Sequence, residues 1–328
     1  MLNAAIVGPG RWGRVLVDSV QGAGVAKGEH IRFTRAVARS PAKAKDYAAA
    51  QKLALGEDYR TVLADPEIGA VVLATPHTQH RAQIEQAATA GKHVFCEKPL
   101  TLTRADAEAA VAACEAAGVV LAVGHNRRFL PAMHELKWMI DRGALGRILH
   151  IEGNYSAGRG PHYKPGMWRA ESAESPAGGM TGFGIHVLDT MIHLCGPLAA
   201  TRATSLRQVA AEIDDTTFAT LRFQSGMTGY LSTLTATAPA WRLQVFGSKG
   251  WAHMLGRDVL EVCVLDGAPE TRRFDPFDTE RAELDAFAIA AGGGTPYPIS
   301  HADMIQGVAA LEAIVRSAEH DGAEVEIG

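Results

Sequence analysis

The sequence predicts an α/β fold: an amino-terminal doubly wound parallel sheet, followed by a carboxy-terminal α+β half built on a largely antiparallel open sheet. Three observations carry this. An apolar run, Ala4-Ala5-Ile6-Val7, feeds directly into Gly8-Pro9-Gly10-Arg11-Trp12-Gly13. Short apolar runs then alternate with helix-length segments up to about residue 124, as parallel neighbours joined by right-handed crossovers require. Beyond that point the runs alternate apolar with polar residues, the pattern of antiparallel strands with one open face.

In order, the first half reads as the glycine turn, a helix through about Gln21, a strand 31–38 and an Ala/Lys-rich helix 41–52. Then come strands 70–74 and 93–96 around a helix 81–90, a helix 104–117 and a strand 119–123. The second half reads as a helix 131–142, a strand 148–155 and a Gly/Pro/aromatic loop to Gly179. Strands 216–223, 229–235 and 242–246 follow, then a linker 292–298 and a closing helix 301–320. At 328 residues the chain exceeds the size of one core, so two domains are expected, 1–124 and 125–328.

Composition excludes several classes. A net charge of -4, with Arg127-Arg128 and Arg272-Arg273 as the densest basic sites, argues against a nucleic-acid partner, which needs a concentrated basic surface. Cys96, Cys114, Cys195 and Cys263 are scattered without a C-x-x-C, so neither a zinc site nor a disulfide framework is expected, and reduced thiols in a cytoplasm are the simple reading. No secretion signal is visible, and the apolar runs fall short of the about 20 residues needed to span a bilayer.

The glycine turn points to a dinucleotide. In G-x-G-x-x-G, Gly8 permits the tight turn, Gly10 lets backbone approach a pyrophosphate, and Gly13 lets the helix lie close to the strand. The helix amino terminus then offers unpaired N–H groups to phosphate. An acidic residue ending the second strand would bond the ribose 2′-OH of NAD. Here the strand ends Ala36-Val37-Ala38-Arg39-Ser40, so Arg39 and Ser40 are expected to hold a 2′-phosphate, favouring NADP over NAD. The bland alternative is that Arg39 is a solvated charge with no part in cofactor choice.

Thr75-Pro76-His77-Thr78-Gln79-His80 and Glu97-Lys98-Pro99 follow two of the strands, and ligands bind at carboxyl ends in such sheets. With Gly124-His125-Asn126-Arg127-Arg128-Phe129, Gly184-Ile185-His186-Val187-Leu188-Asp189 and Asp214-Asp215-Thr216, these motifs make nearly the whole chain resemble the glucose-fructose oxidoreductase and inositol dehydrogenase (Gfo/Idh/MocA) family. The resemblance implies a Rossmann domain and a carboxy-terminal domain that holds substrate and mediates homo-oligomers, dimers or tetramers. It also implies hydride transfer between a nicotinamide and a sugar-like compound or cyclic polyol. Lys98 of the E-K-P motif is implied to lie between nicotinamide and the reacting hydroxyl, with Pro99 fixing it through a rigid turn.

Oxidising an alcohol requires a proton acceptor within hydrogen-bond reach. His186, whose imidazole titrates near neutral pH, and Lys98, desolvated beside a cationic ring, are the catalytic candidates. A solvated charge at Lys98 and a cap or packing role for His186 are the bland alternatives. The cofactor candidates are Gly8, Gly10, Arg11, Trp12, Gly13, Arg39, Ser40, Thr75, Pro76, His77, His80, Glu97 and Lys98. The substrate candidates are Lys98, Arg127, Tyr163, Lys164, Trp168, Arg169, His186 and Asp189, the arginines suiting a carboxylate or polar acceptor. Where family members carry an aspartate four residues before the histidine, this chain has Gly182, and Asp189, three residues on, is the carboxylate left to orient the ring. His186, Asp189 and His193 on one helix face would suit a metal, although no metal is expected. A nicotinamide-binding sensor without turnover, or a redox-neutral enzyme with retained cofactor, are the competing functions.

Overall fold

The computed structural model describes residues 1–26 and 28–328. The chain divides into two compact units. The first comprises Met1–Thr101, Ala105–Asn126 and Asp278–Met304; the second comprises Leu102–Arg104, Arg127–Phe277 and Ile305–Gly328.

The first unit is built on six parallel strands: β1 (Leu2–Val7), β2 (Ile31–Val37), β3 (Ala54–Gly56), β4 (Ala70–Leu73), β5 (His93–Cys96) and β6 (Leu121–Val123). Their order is β3-β2-β1-β4-β5-β6. Ala70, Val71, Val72 and Leu73 are all fully buried, as strands covered on both faces must be. The order reverses direction between β1 and β4, the switch point outside which ligands settle in open α/β sheets. Helices α1 (Arg11–Gln21), α2 (Lys45–Ala50), α3 (Tyr59–Ala64), α4 (His80–Thr89) and α5 (Arg104–Ala117) alternate with the strands. The sequence reading missed β3 and α3. The helix expected over 41–52 is a 3-10 turn, Pro41–Lys43, followed by α2.

The chain returns to this unit with α8 (Thr279–Ala291), ahead of α9 (His301–Glu319). Asp278 caps α8 by accepting from Arg281 N at 2.9 Å. Phe287 is fully buried and meets Phe95 of β5 edge-on, ring centroids 5.8 Å apart. Tyr297 OH donates to Val123 O at 2.9 Å. Besides the short excursion of Leu102–Arg104, the chain passes between the units after Asn126, Phe277 and Met304.

The second unit is a nine-stranded sheet in the order β14-β13-β12-β11-β7-β10-β9-β8-β15. Its strands are β7 (Ile148–Ser156), β8 (Leu198–Leu206), β9 (Thr216–Phe223), β10 (Thr228–Leu234), β11 (Ala240–Gly247), β12 (Gly250–Leu255), β13 (Val259–Val264), β14 (Glu270–Arg273) and β15 (Val325–Glu326). Pairing is antiparallel except between β7 and β10, where Glu152 stands opposite Tyr230 in parallel register. One face is apolar: Ile151, Leu221, Leu231, Leu243 and Val245 share a core with residues of α6 (Pro131–Asp141), α7 (Ile185–Cys195) and α9. The other face carries His150, Phe218, Tyr230 and Phe246, whose rings pair at centroid distances of 5.9 to 6.2 Å. α7 lies hard on β7: a Cβ at Gly153 would collide with Val187 Cγ1 and Met191 Cε. Among the described residues no helix is long and apolar enough to cross a membrane.

Candidate active site

The glycine turn has the geometry that backbone–phosphate approach demands. Gly8 has φ +89° and a Cβ there would sit 2.7 Å from Ala74 O, while a Cβ at Gly13 would run into Gly8 O. Either position therefore excludes every other residue. Gly10 faces open space. It is the N-cap of α1, with no side chain capping it and no acidic residue in the first turn. The first-turn N–H groups carry the positive end of the helix dipole, and the turn itself supplies no competing carboxylate. These residues fit a dinucleotide pyrophosphate.

Arg39 and Ser40 lie exposed just past the end of β2. Thr75 Oγ1 donates to Gln83 Oε1 at 2.6 Å beyond β4, and Pro76 precedes the 3-10 turn His77–Gln79. His80, expected to touch the cofactor, is fully buried. Its Nδ1 lies 3.0 Å from Pro99 O and 3.2 Å from Leu100 O, and its Nε2 3.1 Å from Thr75 O. The ring ties the chain after β4 to the chain after β5, so His80 acts on the site by holding the E-K-P turn.

That turn contains a cis Lys98–Pro99 peptide. Glu97 is only 6% exposed; its carboxylate accepts from Trp12 Nε1 at 2.5 Å and from Lys98 N at 3.3 Å. A Cβ at residue 124 would stand 2.9 Å from Glu97 Oε1, so glycine there makes room for the carboxyl group. Glu280 at the start of α8 adds its field and receives Asn126 Nδ2 at 2.8 Å. Glu280 comes from a segment more than 150 residues away in sequence, and no local motif announces it.

Burial pushes the Glu97 carboxyl up to about 7, against the pull of the Lys98 ammonium and the Trp12 indole. Between the ordinary value of 4.5 and about 7 the unfolded chain gives up this proton first, so the group's contribution to stability falls as pH rises through that window. Glu97→Gln is expected to remove on the order of 3 kcal/mol of that pH dependence, read as a flatter melting temperature between pH 5 and pH 7.5.

In the second unit the two neighbouring arginines separate in role. Arg128 is 3% exposed on its side chain and gives three bonds to Asp189, Nε at 3.1 and 2.9 Å and Nη2 at 2.7 Å. Asp189, expected to contact substrate and orient His186, is held in this buried ion pair. Arg128 Nη1 also lies 3.4 Å from His193 Nδ1. The Arg128 guanidinium thus reaches both Asp189 and His193.

Arg127 is buried, its guanidinium carbon 5.7 Å from the Tyr155 ring centroid and its Nη2 3.4 Å from Tyr155 OH. The same ring lies 6.0 Å from the His186 ring and 5.1 Å from that of Phe183. Tyr155 and Phe183 were not singled out from sequence, although Tyr155 ends a strand run and Phe183 sits within the histidine motif. Met180–Gly184 form a π-turn ahead of α7, so four residues from 182 to 186 are not one α-turn. A Cβ at Gly182 would meet no atom within 4 Å. Of the loop candidates, Lys164 and Arg169 are exposed, and Arg169 stacks 3.9 Å over Trp168. No described contact links Tyr163 or Lys164 to the Arg127–Tyr155–His186 cluster. Asp215 accepts the backbone N–H groups of Gln208, Val209 and Ala210 at 2.5 to 2.8 Å, a role in loop folding.

A glycine turn at the switch point of a parallel sheet, with Lys98 at the same carboxyl edge, defines a nicotinamide-dependent oxidoreductase. Residues 2–125 match the model of the oxidoreductase family with NAD-binding Rossmann fold, and residues 133–253 match the GFO/IDH/MocA C-terminal domain. The chain belongs to the Gfo/Idh/MocA family. It is 29% identical over 279 residues to 1,5-anhydro-D-fructose reductase of Ensifer adhaerens, covering 81% of this chain and 83% of that protein. Aldose-aldose oxidoreductase from Caulobacter crescentus, complexed with glycerol, superposes with TM-score 0.87 at 27% identity over 99% of both chains. Levoglucosan dehydrogenase in complex with NADH and L-sorbose superposes with TM-score 0.88 at 25% identity, over 100% of this chain and 99% of that one.

Proposed function

We propose that this chain is an NADP-dependent oxidoreductase of a sugar, polyol or related carbonyl compound. In this reading the first unit holds the dinucleotide and the second holds the substrate and mediates self-association through its open sheet face. The observation that carries the reading is Lys98 at the carboxyl end of β5, on the same edge as the Gly8–Gly13 turn. The similar proteins act on sugars or hold them, which supports the substrate class.

When bound, nicotinamide supplies the hydride acceptor or donor. Lys98 polarises the reacting oxygen, and His186 takes the hydroxyl proton as the carbinol C–H bond breaks; in reduction the same pair returns the proton. The Tyr155 ring lies beside the imidazole and Phe183 backs that ring, and His186 itself is buried. Past β2 no carboxylate follows Val37 until Asp46, and Arg39 provides a charge to bind a 2′-phosphate.

The test is a panel of sugars, polyols and aldehydes followed by nicotinamide absorbance with each cofactor. Turnover is expected with NADP favoured. Arg39→Asp is expected to shift the NADP/NAD ratio of kcat/KM roughly ten- to a hundredfold toward NAD. An unchanged ratio would remove Arg39 as the selector, and the absence of any turnover would remove the oxidoreductase reading for this panel.

A further inference from the structure

We infer that the substrate carries a carboxylate and that Arg127 receives it, making sugar acids, uronates or aldonates, the substrate class; this rests on the oxidoreductase reading above. Arg127 is 9% exposed, and its Nε and Nη1 are buried with no hydrogen-bond partner. Its remaining polar contact is the long one to Tyr155 OH, at 3.4 Å. A guanidinium cannot shed its proton, and a charge held away from water without a counter-ion is costly. Among the described residues Arg127 and Arg128 are the buried arginines, and only Arg127 has buried guanidinium atoms without a partner. Arg128, the next residue and more deeply buried, is paired with Asp189, and Arg35, Arg242 and Arg272 each have an acidic partner.

The groups recorded around Arg127 are aromatic. The Tyr155 ring touches both the guanidinium and the His186 imidazole, and Phe183 backs that ring. No acid stands among them, so the missing partner is an anion that arrives with the ligand. One guanidinium among rings balances one negative charge, which suits a carboxylate rather than a phosphate dianion. The reacting carbinol beside His186 and the acid group beside Arg127 then share one aromatic neighbour, the Tyr155 ring, a separation that a small polyhydroxylated acid spans.

The test uses NADPH-loaded protein and matched pairs: D-glucuronate with D-glucose, D-galacturonate with D-galactose, D-gluconate with D-glucitol. Melting-temperature shifts and, where turnover occurs, kcat/KM are compared across wild type, Arg127→Met, Arg127→Lys and Arg142→Met, the last removing an exposed charge from the chain after α6. Acids are expected to stabilise the wild type more than their neutral partners. Arg127→Met should lose roughly ten- to a hundredfold in acid binding or kcat/KM, with Arg127→Lys intermediate, and Arg142→Met should match wild type. Equal responses to acid and neutral members overturn the inference. So does an Arg127→Met protein whose affinity for NADPH falls by the same factor, since the guanidinium would then serve the cofactor. If neutral sugars alone turn over, the oxidoreductase reading stands while this inference fails. If nothing turns over, the melting shifts still decide the role of Arg127.

Discussion

Lys98→Met is expected to lower kcat by roughly 10²–10⁴-fold, the range that positioned acid–base groups contribute, while leaving the dissociation constant for NADPH within about threefold. The argument starts from where the charge sits. Lys98 is half-buried at the end of β5, directly after a buried carboxyl group whose ionised form its ammonium favours. The backbone around it is fixed from three sides by the His80 ring, the Trp12 indole and Pro99, so methionine removes charge and proton without loosening the turn. Lys98→Arg separates the two contributions, because a guanidinium keeps the charge and cannot relay a proton. If Lys98 moves protons, both variants lose activity to a similar degree; if it supplies field alone, arginine restores most of it. Stopped-flow absorbance on the best panel substrate, with NADPH fluorescence titration, reads both quantities. Full activity in Lys98→Met would dismiss the assignment.

Asp189→Ala is expected to cost about 3–5 kcal/mol of stability, the usual penalty for orphaning one member of a buried ion pair. For a unit of this size that is a fall in melting temperature on the order of 10 °C. The loss comes from Arg128, left 3% exposed without its carboxylate, and not from Asp189 itself. Replacing both partners, Arg128→Met with Asp189→Leu, should therefore be milder than either single change, since no buried charge remains. A double-mutant cycle by thermal or denaturant unfolding measures this. A single variant as stable as the parent would show that water or another group takes over the guanidinium.

The glycine turn and the parallel sheet were legible because their signals are local: Gly8, Gly10 and Gly13 sit beside the atoms that require them, and β1, β4 and β5 are continuous apolar runs. The E-K-P turn and the histidine helix were legible as motifs. The partners of those motifs were not. Asp189 reads equally well as a ligand or a structural acid, and only the position of Arg128, 61 residues earlier, decides the matter. His80 looks like a site residue until its ring is seen spanning two turns. The edge strand β14, Glu-Thr-Arg-Arg, has no apolar face to betray it, and the three-residue β3 is too short for any periodicity. The π-turn before α7 depends on Gly184 closing against Met180 and Thr233, a contact across the fold that no local propensity encodes.

The order in which the chain leaves the ribosome matters for the amino-terminal sheet. Phe95 finds its edge-on partner in Phe287, and the Val123 carbonyl finds its donor in Tyr297, both from the last sixth of the polypeptide. Nascent β5 and β6 must therefore wait through synthesis of residues Arg127–Phe277 of the second unit with an apolar flank uncovered, the interval in which chaperone capture or aggregation competes with folding.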